Sequence, residues 1–214
     1  MSRIAISGTG YVGLTTGAVL AELGHHVVCA DIDAAKVERL NQADLHIYEP
    51  GLHDLVISGL GSGRLKFVVG AAEAARNCEF AFLCVQTPQG EQGEADLTWV
   101  LAAARELAAV VPPHTVVINK STVPVGSAGR VAEAMSRADV HVASNPEFLR
   151  EGTAVSDCFS PDRIVVGSPD RGAAEAVAGL YKGISAPVVI TDVTSAEMIK
   201  YASNAFLAVK LSYV

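Results

Sequence analysis

Short runs of apolar and β-branched residues recur along the chain, separated by longer Ala/Leu-rich stretches whose polar positions return at helical spacing. The runs predict strands over residues 3–7, 26–30, 65–69, 80–85, 115–119, 141–144, 163–167 and 188–191. The intervening stretches predict helices near residues 11–23, 34–42, 51–59, 71–77, 97–110, 127–138 and 172–182. The strand runs are continuously apolar rather than alternating, as expected for strands buried on both faces. Continuous apolar strands with intervening helices predict an α/β fold with a mostly parallel sheet, doubly wound.

The last segment breaks the alternation. Thr194-Ser195-Ala196-Glu197 has the spacing of a capping box, with Thr194 as N-cap and Glu197 reaching back three residues. A helix from about Ser195 then keeps its apolar pattern to Val214 with no stop signal, so it reads as cut rather than finished. The expected organisation is a domain over residues 1–193, with residues 194–214 as the start of a long connecting helix and a further domain absent.

Composition narrows the picture. Half of the 214 residues are hydrophobic and 18% are charged, so a sizeable core can form. Lys plus Arg total 16 against 23 for Asp plus Glu, a net charge of −7 without basic clusters, which excludes nucleic acid and anionic membrane as expected partners. A phosphate-bearing ligand must therefore be held locally, by backbone N–H groups and a few basic side chains. Mean hydropathy is +0.33. No apolar run reaches the roughly 18–20 residues of a membrane span, and the opening MSRIAISG runs directly into a strand. The expected location is cytoplasmic. Cys29, Cys78, Cys84 and Cys158 are widely spaced without a CxxC pair, so neither a disulfide nor a metal site is expected, and Cys29 and Cys84 read as buried, inert thiols.

The first strand is followed by Gly8-Thr9-Gly10-Tyr11-Val12-Gly13, and a helix opens at once. This is GxGxxG between strand and helix, the Rossmann-type dinucleotide arrangement. Gly8 permits the turn, Gly10 lets a pyrophosphate approach the backbone, and Gly13 allows close helix–strand packing. The N–H groups of the opening helix face the phosphates. Asp31 ends the next strand and is placed to accept hydrogen bonds from ribose hydroxyls and to repel a 2′-phosphate, which favours NAD over NADP. Lys36 is the nearby cation that keeps the alternative open.

Further motifs stand at the ends of later strands. Thr87-Pro88 follows the fourth strand at the sheet's carboxyl edge, where doubly wound folds bind ligands; a plain strand-ending turn is the competing reading. Ser121-Thr122, in Lys120-Ser121-Thr122-Val123-Pro124-Val125-Gly126, is placed either to meet a ligand or to cap the next helix with a hydroxyl. Asn145-Pro146-Glu147-Phe148-Leu149-Arg150-Glu151-Gly152 carries two carboxylates four apart and suits either a ligand-binding loop or a solvated acidic one. Lys200 and Asn204, at i and i+4, share one face of the final helix and suit oxyanion stabilisation, unless that face is a surface stripe.

With Ile47-Tyr48-Glu49-Pro50-Gly51-Leu52, Ser160-Pro161-Asp162-Arg163 and the 195–206 segment, these stretches run in order along the whole chain. Together they resemble the UDP-glucose/GDP-mannose dehydrogenase family, whose smaller residue at one strand end is replaced here by Gln86. The resemblance implies oxidation of a sugar's primary alcohol by two NAD in succession, through a thioester on a cysteine outside this chain, so that the chain alone binds NAD without turnover. It implies that Gly8, Gly10, Tyr11, Val12, Gly13, Asp31, Lys36, Thr87, Ser121, Thr122 and Glu151 serve the cofactor. Thr122 and Glu147 would hold and activate water, and Glu147, Phe148, Leu149, Arg150, Glu151, Lys200 and Asn204 would meet the sugar nucleotide. UDP-glucose is the expected substrate and a homodimer across the final helix the expected assembly. Alternatives are GDP-mannose or a UDP-N-acetyl-hexosamine as substrate, a related hydroxyacid dehydrogenase, or an NAD-sensing module that is no enzyme.

Overall fold

A computed structural model describes residues 1–91 and 93–214. The strands are β1 (Arg3–Ser7), β2 (His26–Asp31), β3 (Leu65–Val69), β4 (Phe80–Leu83), β5 (Val116–Asn119), β6 (His141–Ser144), β7 (Ile164–Gly167) and β8 (Val188–Thr191). Around them lie α1 (Tyr11–Glu22), α2 (Ala34–Asn41), α3 (Leu52–Gly61), α4 (Ala71–Ala75), α5 (Thr98–Ala108), α6 (Ser127–Met135), α7 (Ala154–Phe159), α8 (Arg171–Gly179) and α9 (Val193–Tyr213). The strands form one sheet in the order β3-β2-β1-β4-β5-β6-β7-β8, parallel except where β6 meets β7. Winding reverses between β1 and β4, whose pairing runs from Ile4↔Phe80 to Ser7↔Leu83. At such a switch point the connections leave in opposite directions and open a crevice at the strands' carboxyl ends.

Both faces are covered, as the unbroken apolar strands require. One core layer packs Ile4, Ile6, Phe67 and Phe82 against Leu14, Val56 and Val177 of α1, α3 and α8. The other packs Ala5, Leu83 and Val117 against Ala74, Leu107 and Val131 of α4, α5 and α6. Every residue of β4, β5 and β7 is buried, and each fully buried large apolar side chain contributes about 1.5–3 kcal/mol. The edge strand β8 differs: Val188, Val189 and Ile190 are 46%, 38% and 38% exposed. Among the described residues no helix is long and apolar enough to cross a membrane, and no cluster of three or more His, Cys, Asp or Glu is arranged to hold a metal.

Two local expectations are corrected. The final helix begins at Val193, and its N-cap is Asp192, whose carboxylate accepts the Ser195 N–H at 2.8 Å. Thr194 is inside the helix, and Glu197 turns away from it. The Glu197 carboxylate instead accepts the Gly126 and Ala128 N–H groups at 2.6 and 2.8 Å, satisfying the start of α6 from a distant helix. The same bonds answer the Ser121-Thr122 capping alternative: the N-cap of α6 is Gly126, with no side-chain cap of its own. The six-residue α7 was not anticipated in the sequence.

Candidate active site at the switch point

The glycine loop lies at the carboxyl end of β1, tied to its neighbours by Gly8 N–H to Ala30 O (2.8 Å) and Cys84 N–H to Ser7 O (2.8 Å). Two glycines are forced. Gly8 has φ +97°, and a Cβ there would stand 2.6 Å from the Cys84 carbonyl oxygen. A Cβ on Gly13 would stand 2.0 Å from the Gly8 carbonyl oxygen, so α1 starts this close to the strand only with glycine. Gly10 faces open space, with nothing within 4 Å of its would-be Cβ. Tyr11, Val12 and Gly13 open α1, and the N–H groups of a helix's first turn have no partner within the helix. A backbone cradle closed behind by Gly8 and Gly13 and open in front at Gly10 fits a dinucleotide pyrophosphate.

Asp31 ends β2 beside this loop. Its Oδ2 accepts from the Thr9 hydroxyl (2.5 Å), the Thr9 N–H (3.2 Å) and the Lys36 ammonium (2.8 Å), while Oδ1 accepts the Asp33 N–H at 3.2 Å. Partial burial works to raise its pKa, but the bonds from Lys36, Thr9 and Asp33 outweigh it and bring the carboxyl down to about 2. Lys36 is thus engaged with Asp31, at the end of β2 beside the cradle.

The ends of β4 and β5 come together. The Thr87 hydroxyl donates to the Thr122 carbonyl at 2.9 Å, and the Ser121 hydroxyl donates to the Val85 carbonyl at 2.6 Å. Ser121 and Thr87 therefore brace the two loops against each other. Gln86 is exposed.

The 145–152 loop leaves β6 and meets α9. Lys200 is buried, and its ammonium lies 2.9 Å from Glu147 Oε1. The Leu149 N–H donates to Glu147 Oε2 at 2.5 Å. The Phe148 ring lies against two cations, its centroid 5.4 Å from Lys200 Nζ and 4.4 Å from the Arg163 guanidinium. Asn204, one turn beyond Lys200, is exposed and lines the same cavity of about 380 Å³. Glu151 is exposed at the loop's end, on the Tyr11 side. Arg150 pairs with Asp157 through two contacts of 2.5 and 3.2 Å. The structure thus gathers Glu147, Phe148, Leu149, Lys200 and Asn204 around one cavity, with Thr122 and the glycine loop on neighbouring strand ends.

Four residues at the site carry contacts that the sequence did not announce. Lys120 is buried on the cavity wall, donating to Asn145 Oδ1 at 3.1 Å with the Tyr181 hydroxyl at 3.5 Å. Arg163 donates to the Ser203 hydroxyl at 2.9 Å. Both cations meet neutral partners, so the cavity offers positive charge to an anionic ligand. Glu49 is buried beneath the loop. It stands in the 47–52 motif, Lys120 in the 120–126 motif and Arg163 in the 160–163 motif, so the motifs signalled them without a role; Tyr181 had no signal.

The cysteines offer no ready nucleophile. Cys29, Cys78 and Cys84 are buried, and burial pushes the thiols of Cys78 and Cys84 up to about 12. Cys158 lines the cavity, but burial raises its thiol to about 11.

Residues 2–185 match the UDP-glucose/GDP-mannose dehydrogenase family, NAD binding domain. Among curated proteins, UDP-glucose 6-dehydrogenase YwqF of Bacillus subtilis is 45% identical over 217 residues, covering 99% of this chain and 49% of that protein. Among solved structures, a UDP-glucose dehydrogenase from Pyrobaculum islandicum superposes with a TM-score of 0.95 at 43% identity, over 100% of this chain and 51% of that one. A GDP-mannose dehydrogenase from Pseudomonas aeruginosa gives 0.93 at 32%, over 99% and 51%. The chain spans about half the length of the curated relatives it matches. It belongs to the UDP-glucose/GDP-mannose dehydrogenase family, of which it carries the NAD-binding domain.

Proposed function

We propose that this chain is the cofactor-binding half, residues 1–193 with a connecting helix over 194–214, of an enzyme that oxidises UDP-glucose to UDP-glucuronate. The observation that carries the reading is that the open glycine cradle, with Asp31 beside it, is tied through the Tyr11 hydroxyl and the Arg150 carbonyl (3.0 Å) to the loop that holds the buried Glu147–Lys200 pair. The overall change is R–CH2OH + H2O + 2 NAD⁺ → R–COO⁻ + 2 NADH + 3 H⁺. NAD, when bound, accepts a hydride from the sugar's C6 at each stage.

The chain's residues do the rest. The N–H groups of Gly10, Tyr11 and Val12 hold the pyrophosphate, with Gly8 and Gly13 letting it approach. Asp31 Oδ1 accepts from the ribose, and its negative charge disfavours a 2′-phosphate; Lys36, already paired to it, tunes that carboxylate. Thr87, Ser121, Thr122 and Glu151 border the nicotinamide end. Phe148, Leu149 and Arg150 meet the sugar nucleotide, and Lys120 and Arg163 add positive charge near its phosphates. Lys200 and Asn204 stabilise an oxyanion at C6. Glu147, with Thr122, orients the hydrolytic water and takes its proton.

The nucleophilic thiol that would carry a thioester comes from outside these residues, since burial holds Cys78, Cys84 and Cys158 in the thiol form. The reading carries a cytoplasmic location, where four free cysteines stay reduced. It also carries a homodimer, in which the exposed Phe206, Val209 and Leu211 of α9 are covered. Calorimetric titration of the 214-residue chain tests the cofactor assignment. NAD should bind one per chain and NADP at least about tenfold more weakly, about 1.4 kcal/mol. Equal affinities, or no binding of NAD, would refute it.

A further inference from the structure

Glu49 has no place in the chemistry proposed above, yet it is one of the most buried carboxylates of the chain, 4% exposed. Its Oε1 accepts the Tyr11 hydroxyl proton at 2.5 Å and the Gly152 N–H at 2.5 Å, and its Oε2 accepts the Ala154 N–H at 3.1 Å. Burying an unpaired carboxylate is prohibitive, and three donors converging on one carboxylate are what makes this burial tolerable. Burial works to raise the pKa of Glu49; the Tyr11, Gly152 and Ala154 bonds overcome it and hold the group below the usual carboxylate range.

The three donors come from two functional loops. Tyr11 is the first residue of α1, immediately after Gly10, where the cradle opens. Its phenol oxygen also lies 3.0 Å from the Arg150 carbonyl. The single hydroxyl proton goes to the charged Glu49, and the Arg150 carbonyl is the weaker second acceptor. Gly152 ends the loop that holds Glu147, at φ +88° as glycine allows, and Ala154 opens α7, where its N–H has no partner within the helix. The other contacts of Arg150 stay within the same segment, to Asp157 and, through its carbonyl, to the Thr153 N–H at 3.1 Å. Glu49 is thus the cross-link from the cradle to the C-terminal end of this loop.

We propose that Glu49 is a positioning residue that couples the two halves of the site. Dinucleotide in the cradle fixes the backbone of Tyr11, Tyr11 holds Glu49, and Glu49 holds the 150–154 turn, so cofactor occupancy shapes the loop that presents Glu147 to the sugar nucleotide. The proposal rests on the reading of residues 8–13 as the cofactor cradle.

Two substitutions separate coupling from mere support. Tyr11→Phe removes one hydroxyl, and with it both the Glu49 bond and the direct Arg150 carbonyl contact, while leaving Glu49 with Gly152 and Ala154. Glu49→Gln keeps an acceptor for Tyr11 and Gly152 but turns an amide NH2 toward the Ala154 N–H. The measurement is amide hydrogen exchange over residues 150–154 of the 214-residue chain, with and without saturating NAD, beside calorimetric NAD binding and melting temperature. In the wild-type chain NAD should slow exchange there by about 5-fold or more, the lower end of ordinary coupling between sites. In Tyr11→Phe, at an NAD concentration raised to saturate that variant by its own calorimetric Kd, the slowing should vanish. In Glu49→Gln the Gly152 and Ala154 amides should exchange faster even without NAD, at a melting temperature that shows the chain folded. NAD binding to the wild type with no slowing at 150–154, or the wild-type slowing retained in Tyr11→Phe or in Glu49→Gln (which keeps the direct Tyr11–Arg150 contact), would overturn the coupling through Glu49 and leave the cofactor reading intact. Failure of NAD to bind the wild-type chain would overturn both.

Discussion

Replacing Lys200 with Met tests how the final helix holds the site together. The side chains of Lys200 and Glu147 are 8% and 12% exposed and lie 2.9 Å apart. An exposed pair contributes about 0.2–1 kcal/mol, whereas removing one partner of a buried pair costs about 3–5 kcal/mol because it strands a charge. Glu147 keeps the Leu149 N–H in the variant, which offsets part of that loss. Met also preserves the stem but loses the cation over Phe148, about 0.5–1 kcal/mol. The expected cost of Lys200→Met is therefore about 3 kcal/mol. Glu147→Gln alone should cost about 2 kcal/mol, by leaving the ammonium unneutralised. The double substitution strands neither charge, so it should cost at least about 1.5 kcal/mol less than the sum. Urea unfolding of the 214-residue chain at pH 7, fitted with a common slope, reads all four corners of the cycle. An interaction energy below about 0.5 kcal/mol would mean that the pair behaves as a solvated one, and the reading of Lys200–Glu147 as a buried bond joining α9 to the loop would fall.

Two further outcomes follow from the cradle and its acid. Gly13→Ala forces a Cβ to 2.0 Å from a backbone oxygen, so it should destabilise the chain by more than about 2 kcal/mol and abolish NAD binding; Gly10→Ala meets open space and should keep the melting temperature while weakening NAD, measured by thermal denaturation and calorimetry. The folded-state pKa of Asp31 is depressed to about 2, so its stabilising contribution is complete above the ordinary aspartate value of about 3.9 and is lost as pH falls toward 2. The stability gap between wild type and Asp31→Asn should therefore be constant from pH 7 to about 5 and close below about pH 4; a gap that stays constant to pH 2 would contradict the assignment.

Much of the architecture is legible in the chain because it rests on local patterns. Strands buried on both faces have no choice but to be continuously apolar, and the runs read at 80–85, 115–119 and 163–167 contain β4, β5 and β7, each a residue or two shorter. The glycine loop is legible because only glycine tolerates the approaches at Gly8 and Gly13. What escaped is non-local or short. Glu197 stands three residues after Thr194, the spacing of a capping box, but its partners Gly126 and Ala128 are 71 and 69 residues away in sequence. Asp192, two residues earlier, is the better cap, because a short carboxylate reaches the Ser195 N–H. The six residues of α7 give too few turns for a period to show. Glu49 is 103 and 105 residues from the amides it binds, and no spacing within one sequence encodes such a contact.

The measurement that bears most directly on the central claim is the stoichiometry of oxidation, made on the longer protein that the proposed function requires. With excess NAD and limiting UDP-glucose, two NADH should form for each sugar nucleotide consumed. Two NADH with GDP-mannose or an N-acetylated sugar nucleotide instead would keep the four-electron chemistry and change the substrate. One NADH per sugar, or none with any of them, would contradict the account.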